Sequence, residues 1–365
     1  MWDDTATSRS QFRHEILSGG MRGIGMSDGP QYRKWKTSIE SYLLLRDLLK
    51  DEDPLQYKDR LRRCATSIVC CVAYGRRIKT LDGEIVVNNV KTATYFGKWV
   101  KPSLRLDPMF IWHAISRISV PGKFLVDSKF LQWFRWEPER RRAVDTEIYL
   151  TLLNQNDVKR QMKDGIAHPS VAIRGLEKQQ ELGLTDVETA YALSAPWAAG
   201  TGMTVATIEV FLLAMLQYPA VMKKAQVEID SVVGSERMPD FKDFDALPYV
   251  QAVIKETMSA ITKDETVFAN AEEFISERFN ASDRQMVNFT LPFGFGRRQI
   301  LWVFNVMPPV DEKGNEVLPS TDSFTTGLTT RPEPFKCYFE PRSSQARDII
   351  IQEAENADID ACAWK

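Results

Sequence analysis

Along TVATIEVFLLAMLQY, residues 204–218, Val205, Ile208, Leu212 and Met215 recur every three to four positions, and most of the positions between them are apolar too. That period predicts an α-helix, and apolar content nearly all round predicts one that runs through a domain's centre. Upstream, TDVE fits a capping box with Thr185 as N-cap and Glu188 three positions on, so the helix is expected to open there. It is expected to end near Tyr218, ahead of Pro219, and to be interrupted midway by Pro196 and by Gly200 and Gly202. Pro219 suits the first position of the next helix, PAVMKKAQVEIDSVVG, whose inward face is read as Val221, Ala225, Ile229 and Val232, with Gly234 closing it. A third helix, LPYVQAVIKETM, follows the turn DFDALP.

The first half is also mostly helical. QYKDRLRRCATSIVCCVAYG places Leu61, Ala65, Ile68 and Val72 on one face, with Gly75 available as a stop. Residues 101–121 carry prolines near both ends and no clean period, which reads as an inserted loop or a short, poorly docked helix. After residue 305, PPVDEKGNEVLP is a polar turn between short apolar runs, and FKCYFEP has the aromatic content and period of two of a strand. The expected fold class is mainly α with small β elements, with no internal repeat and no low-complexity tract.

Composition narrows the function classes. A chain of 365 residues, 44% hydrophobic and 26% charged, is ordinary for a globular protein. A net charge of −2 leaves no electrostatic footprint for nucleic acid, and the basic runs 60–63 and 140–142 sit beside acids and read as solvated helix faces. Uninterrupted apolar runs at 68–74 and 210–216 are too short to cross a bilayer, and MWDDTATSRSQ has no apolar signal region. The chain as it stands is therefore expected to be neither secreted nor anchored. Five cysteines without CxxC spacing argue for reduced thiols inside the cell, and three scattered histidines argue against a zinc cluster.

Candidate chemistry concentrates in LPFGFGRRQILW, residues 291–302. Gly294 and Gly296 alternate with Phe293 and Phe295, so the backbone can turn against a flat apolar object while Arg297 and Arg298 face an anion. Gln299, Ile300 and Leu301 then offer no metal ligand. The Gly294/Gly296 pair lacks the third glycine and preceding strand of a dinucleotide fingerprint. A rival enzyme class enters through GMSDG at 25–29, which matches G-x-S-x-G with Ser27 as nucleophile and His113 or His168 downstream; the flanking SGGMRGI is not the strand that such an elbow needs.

Taken in order, WAAGTGMT on the central helix, the helix containing KET, FISERF and FGFGRR resemble the cytochrome P450 family, in particular its fungal members. That family's order is an [A/G]GxxT motif on a long helix, a Glu-x-x-Arg helix, a Pro-Glu-Arg-Phe segment and a FxxGxRxCxG loop. The resemblance implies one P450-like domain over 1–365, incomplete, with 185–218 as the oxygen-binding helix, 245–258 as a broken Glu-x-x-Arg helix and 291–299 as a partial haem-binding loop. It implies haem-dependent monooxygenation of a lipophilic small molecule, with electrons from NADPH through NADPH-cytochrome P450 reductase. It also implies placement on the endoplasmic reticulum membrane, although the family's N-terminal anchor and following β-rich region are not found in this sequence.

Residue by residue, Phe293, Gly296 and Arg298 match the loop, with Arg298 for a propionate, and the ligand position falls on Ile300, which cannot coordinate iron. Tyr32 and Lys36 stand for the propionate-binding helix. On the central helix Gly200 matches a small residue, Met203 takes the threonine position and Thr204 follows it. Glu256 matches the Glu-x-x-Arg acid, but Ser259 replaces the arginine, so Glu256 is expected to lose its buried partner; Arg278 falls in the Pro-Glu-Arg-Phe segment. Without the resemblance, Glu256 and Arg278 read as surface charges and AAGTGMT as a closely packed helix kink. The resemblance also implies internal segments missing at 258/259 and 299/300, whether by degeneration or by skipped coding segments together with a retained non-coding stretch near 101–120. The expected outcome is an inactive or impaired monooxygenase. The alternative is a non-enzymatic relative that binds an apolar small molecule or nothing.

Overall fold

A computed structural model of the chain describes residues 40–50, 53–80, 83, 86–88, 142–155, 158–167, 170–259, 274–279, 295–325 and 330–362. In order they form α1 (Glu40–Lys50), α2 (Tyr57–Tyr74), α3 (Val158–Lys163), α4 (Val171–Lys178), α5 (Asp186–Gln217), α6 (Pro219–Val232), α7 (Pro248–Ser259), α8 (Phe295–Val303), β1 (Phe304–Met307), β2 (Tyr338–Pro341) and α9 (Ser344–Cys362). Short helical segments of other pitch lie at Thr151–Gln155, Phe241–Ala246 and Ser276–Phe279. The fold is mainly α with small β elements, as expected. Residues 101–121 and the Ser27, His113 and His168 set lie outside the described residues.

The described residues gather into two compact units. In the one built from residues 69–200, Trp197 of α5 meets Tyr149 edge-on at 6.0 Å, and Tyr149 meets Tyr191 at 5.0 Å. Ser170 caps α4 by accepting from the Ile173 amide. The capping box of α5 forms as read: the Thr185 amide donates to the Glu188 carboxylate at 2.9 Å, and the Glu188 amide donates back to Thr185 Oγ1 at 3.3 Å. The Thr185 amide, joined by the Thr185 hydroxyl donating to the same carboxylate at 2.8 Å, holds the Glu188 carboxyl below its ordinary range.

In the other unit, from residues 21–68, 201–325 and 329–365, the core joins Leu44, Leu45 and Leu48 of α1, Leu61 and Ala65 of α2, Phe211, Leu212 and Met215 of α5, Ala225 and Ile229 of α6, Val250 and Val253 of α7, and 300–304. α9 lies on α1, where Arg46 pairs with Asp358. β1 and β2 run antiparallel with Phe304 opposite Pro341 and Met307 opposite Tyr338. Beyond β1, Val310 bridges Glu316 across the polar turn. By length and composition Gly200–Gln217 could cross a membrane, but 67% of it is buried inside the fold, as befits a core helix.

Three readings are corrected. α5 runs unbroken through Pro196, Gly200 and Gly202. One lost hydrogen bond is outweighed by a helix that is capped at its start and buried through its apolar second half. In α6 the buried stripe is Met222, Ala225, Gln226 and Ile229, while Val232 is 37% exposed. Gln226 is buried because its amide donates to the Phe304 carbonyl at 3.0 Å, which a hydrophobic pattern cannot foresee. Arg63, within the run read as solvated, is buried in an ion pair with Glu40 at 2.9 Å, and Ser67 donates to the other carboxylate oxygen at 2.9 Å. Both helix stops hold: Gly75 and Gly234 take φ of +69° and +76°, where a Cβ is disfavoured.

Candidate functional site

α7 presents the first of the motif residues. Its N-terminal amides at Tyr249 and Val250 are satisfied by the Glu228 carboxylate of α6, at 2.9 and 2.8 Å, which fixes the helix's entry. Two turns on, Glu256 is 2% exposed and aims at the turn Ser276–Phe279. Arg278 Nε lies 3.0 Å from its Oε2, and the Ile275 amide donates to its Oε1 at 3.0 Å. The expectation that Glu256 loses its partner is thus corrected, and so is the surface-charge reading of both residues. The arginine absent at Ser259 is not needed where a second cation from the next segment reaches the same carboxylate with a backbone donor beside it.

α8 presents the second. Phe293 and Gly294 lie outside the described residues, and from Phe295 onward the segment read as a loop over 291–299 is helical. Arg297, Arg298 and Gln299 are all buried on it. Arg297 donates to the Ile254 carbonyl of α7 at 3.5 Å, and burial works against its charge. Arg298 donates to the Asp240 carbonyl at 3.4 Å and lies over the Phe244 ring at 5.2 Å; burial lowers its affinity for the proton, and Asp243 and Asp240 oppose that. Ile300 is 0% exposed, packed in the core with Leu301, Trp302 and Val303. The physical reason is the sequence that follows: ILWV is the apolar end of a core helix, and the basic residues just before it are drawn into its first turns.

α5 presents the third. A Cβ added at Gly200 would lie 2.8 Å from a Val69 methyl of α2, so this glycine permits close helix packing. Met203, at the threonine position of the motif, is 51% exposed, and Thr204 is half-buried. The Met203 carbonyl accepts from Thr207 Oγ1 at 2.7 Å. Tyr32 and Lys36 lie outside the described residues.

The family model for Cytochrome P450 matches residues 44–258, from α1 to the end of α7. The chain is 30% identical to cytochrome P450 monooxygenase claR of Ampulloclitocybe clavipes, over 88% of this chain and 67% of that one. It belongs to the cytochrome P450 family. A second fungal relative, cytochrome P450 monooxygenase 58 of Postia placenta, is 26% identical over 94% of this chain and 74% of its own. Among solved structures, a zebra fish cytochrome P450 determined with abiraterone has a like fold, with a TM-score of 0.57 at 17% identity, over 90% of this chain and 86% of that one.

P450 monooxygenases bind haem and draw electrons from a redox partner, so the donor set can be tested against that group. A haem-thiolate centre needs a deprotonated cysteine sulfur on iron and cations at the propionates. Among the described residues Cys64, Cys70 and Cys337 are buried and Cys71 is half-buried. Burial pushes the Cys64 thiol up to about 12 and the Cys337 thiol higher still, which disfavours the thiolate in both. Ile300, the residue that the resemblance sets at the ligand position, is buried in the core. The described residues do not fit a haem thiolate.

The sequence reading missed one acid in this part of the chain. Glu209 is the single charge in TVATIEVFLLAMLQY, and it is as buried as Glu256. The signal was a carboxylate inside an otherwise apolar run, where burial of an unexplained charge marks a position with a role.

Proposed function

We propose that this P450-family chain does not assemble the haem-thiolate centre and so does not carry out the family's monooxygenation. In that reaction an oxygen atom enters a lipophilic small molecule while NADPH supplies electrons through a reductase. One observation carries the reading: Ile300 stands at the ligand position with no exposed surface, inside a helix whose arginines pack against α7 and the 240–244 turn. Cys64 and Cys337 are packed into the hydrophobic core among apolar side chains and serve as small core residues.

What the residues of this chain do instead is hold a fold. Glu256 and Arg278 tie α7 to the following turn, Arg297 ties α8 to α7, and Gly200 allows α5 to meet Val69. The test is to express the chain with haem supplied and record the reduced carbon monoxide difference spectrum, then to add NADPH, reductase and a lipophilic probe. The expected result is no thiolate-type Soret band and no oxidised product. A thiolate-type band, or product formed with NADPH consumed, overturns the reading.

A further inference from the structure

The second half of α5 is apolar except at Glu209, which sits between Ile208 and Val210 and is 2% exposed. Among the described residues, neither of its carboxylate oxygens has a hydrogen-bond partner. Arg331 Nη1 comes to 3.9 Å from Oε2, beyond hydrogen-bond reach, and that guanidinium is itself 35% exposed. From α2, Lys58 and Arg62 face the carboxylate at longer range, and the Tyr57 phenol feels its charge. A carboxylate taken out of water without donors is strongly disfavoured, whereas the same group protonated loses most of that penalty.

Arg331 belongs to a segment that bridges to 323–325 on one side and reaches α2 on the other. Residues 330–337 pair with 323–325, where the Thr325 amide donates to the Arg331 carbonyl at 2.8 Å, the Arg331 amide to Thr325 Oγ1 at 3.3 Å and the Glu333 amide to the Ser323 carbonyl at 2.8 Å; they meet α2 where Tyr57 Oη donates to the Phe335 carbonyl at 3.1 Å and the Cys337 amide to the Pro54 carbonyl at 3.2 Å. The bonds from Tyr57 and Pro54 lie on or just before α2, the helix that also supplies Lys58 and Arg62. We propose that Glu209 is a proton-operated latch: neutral in the resting fold, it draws Arg331 from 3.9 Å into direct contact when it ionises, and the hold of the 330–337 segment on the core changes with it.

Burial keeps the Glu209 carboxyl above its ordinary value of 4.5, although Arg331, Lys58 and Arg62 all pull it down. For a group raised in the folded state, its stabilising contribution is complete below the unfolded value and is lost as pH rises through the folded one. The fold therefore binds a proton at Glu209 that the unfolded chain releases, and stability declines with rising pH above the ordinary glutamate range.

The experiment is an infrared titration of the full chain with amide hydrogen exchange over residues 330–337, comparing it with Glu209→Gln and Arg331→Met. The expected result is a protonated-carboxyl stretch that persists above the ordinary glutamate range, vanishes as pH rises further, and is missing from Glu209→Gln at every pH. Protection of 330–337, corrected for intrinsic exchange, should change across the same interval in the native chain and stay flat in Glu209→Gln. Arg331→Met removes the cation that favours ionisation and should move the stretch to higher pH. The proposal falls if no Glu209-dependent stretch survives above the ordinary glutamate range, if protection responds to pH equally with and without Glu209, or if Arg331→Met leaves the titration in place.

Discussion

α7 and α8 carry the two most specific family motifs in this chain, and they differ in what the motif needs. Glu256 on α7 needs one cation and one backbone donor, and the next segment supplies both, with Arg278 and the Ile275 amide each at 3.0 Å. The α8 segment, by the resemblance, answers a haem; on the proposal above no sulfur at Ile300 seats one, and from Phe295 onward the segment is a helix whose buried residues join the core. A motif keeps its structural work when its partners are side chains close by in sequence. On the same proposal, it loses that work when the partner depends on one ligating residue that the segment does not supply.

The contrast breaks first at Arg278. Replacing it with methionine strips a cation from a carboxylate that has almost no contact with water, and an unpaired buried charge of that kind costs about 3–5 kcal/mol. Denaturant unfolding of Arg278→Met should show a loss of that size, and Arg278→Met combined with Glu256→Gln should recover part of it because no charge is then left buried. A single variant within about 1 kcal/mol of the native chain would mean that the pair does not lock α7.

The α8 side of the contrast is sharpened at Ile300. Truncation to alanine opens a cavity in the 300–304 cluster, with an expected loss of about 2–4 kcal/mol. Ile300→Cys keeps most of the volume and should be milder, and it should also fail to produce a thiolate-type Soret band with haem, because the side chain is enclosed by core neighbours. A variant that turned haem-loaded and thiolate-ligated on this one change would show that α8 can unwind to form the loop the family uses.

How much of this was readable beforehand follows the same division. The capping box at Thr185, the stops at Gly75 and Gly234, and the stripe Val205, Leu212 and Met215 were legible because each rests on neighbours within a turn or two. The pairing of Glu256 with Arg278 was not, since 22 positions separate them and the expected partner lay three residues away at Ser259. Gln226 in a buried stripe, Glu228 capping α7 and Glu40 holding Arg63 were equally hidden, because each answers a polar group on a different element. The helical fate of FGRRQ was visible in principle. The run ILWVF had the stronger pattern, but the glycine-spaced residues before it were read by what they resemble.

The smallest expected effect tests what Arg298 faces now. Its guanidinium lies beside the 240–244 turn, where Arg237 grips Asp243 with two bonds of 2.7 Å and the Asp240 amide adds a third at 2.8 Å. The bonds from Arg237 hold the Asp243 carboxyl below its ordinary value of 3.8, so the folded chain keeps it ionised further into acid than the unfolded chain does. A depressed carboxyl contributes its stability above the unfolded value and loses it as pH falls through the folded one. Asp243→Asn should therefore cost about 1 kcal/mol near neutral pH, a figure kept small because Arg237 is partly solvated, and the gap to the native chain should close as acid is added. Thermal unfolding from neutral pH down through the aspartate range checks it. This slope runs opposite to the one expected of Glu209, so the two carboxyls separate cleanly: one stabilises by staying charged against an arginine it touches, the other by staying neutral beside an arginine it does not reach. If Asp243→Asn lost the same stability at every pH, the contribution would be one of shape, and Arg298 would sit over a turn held by packing instead of charge.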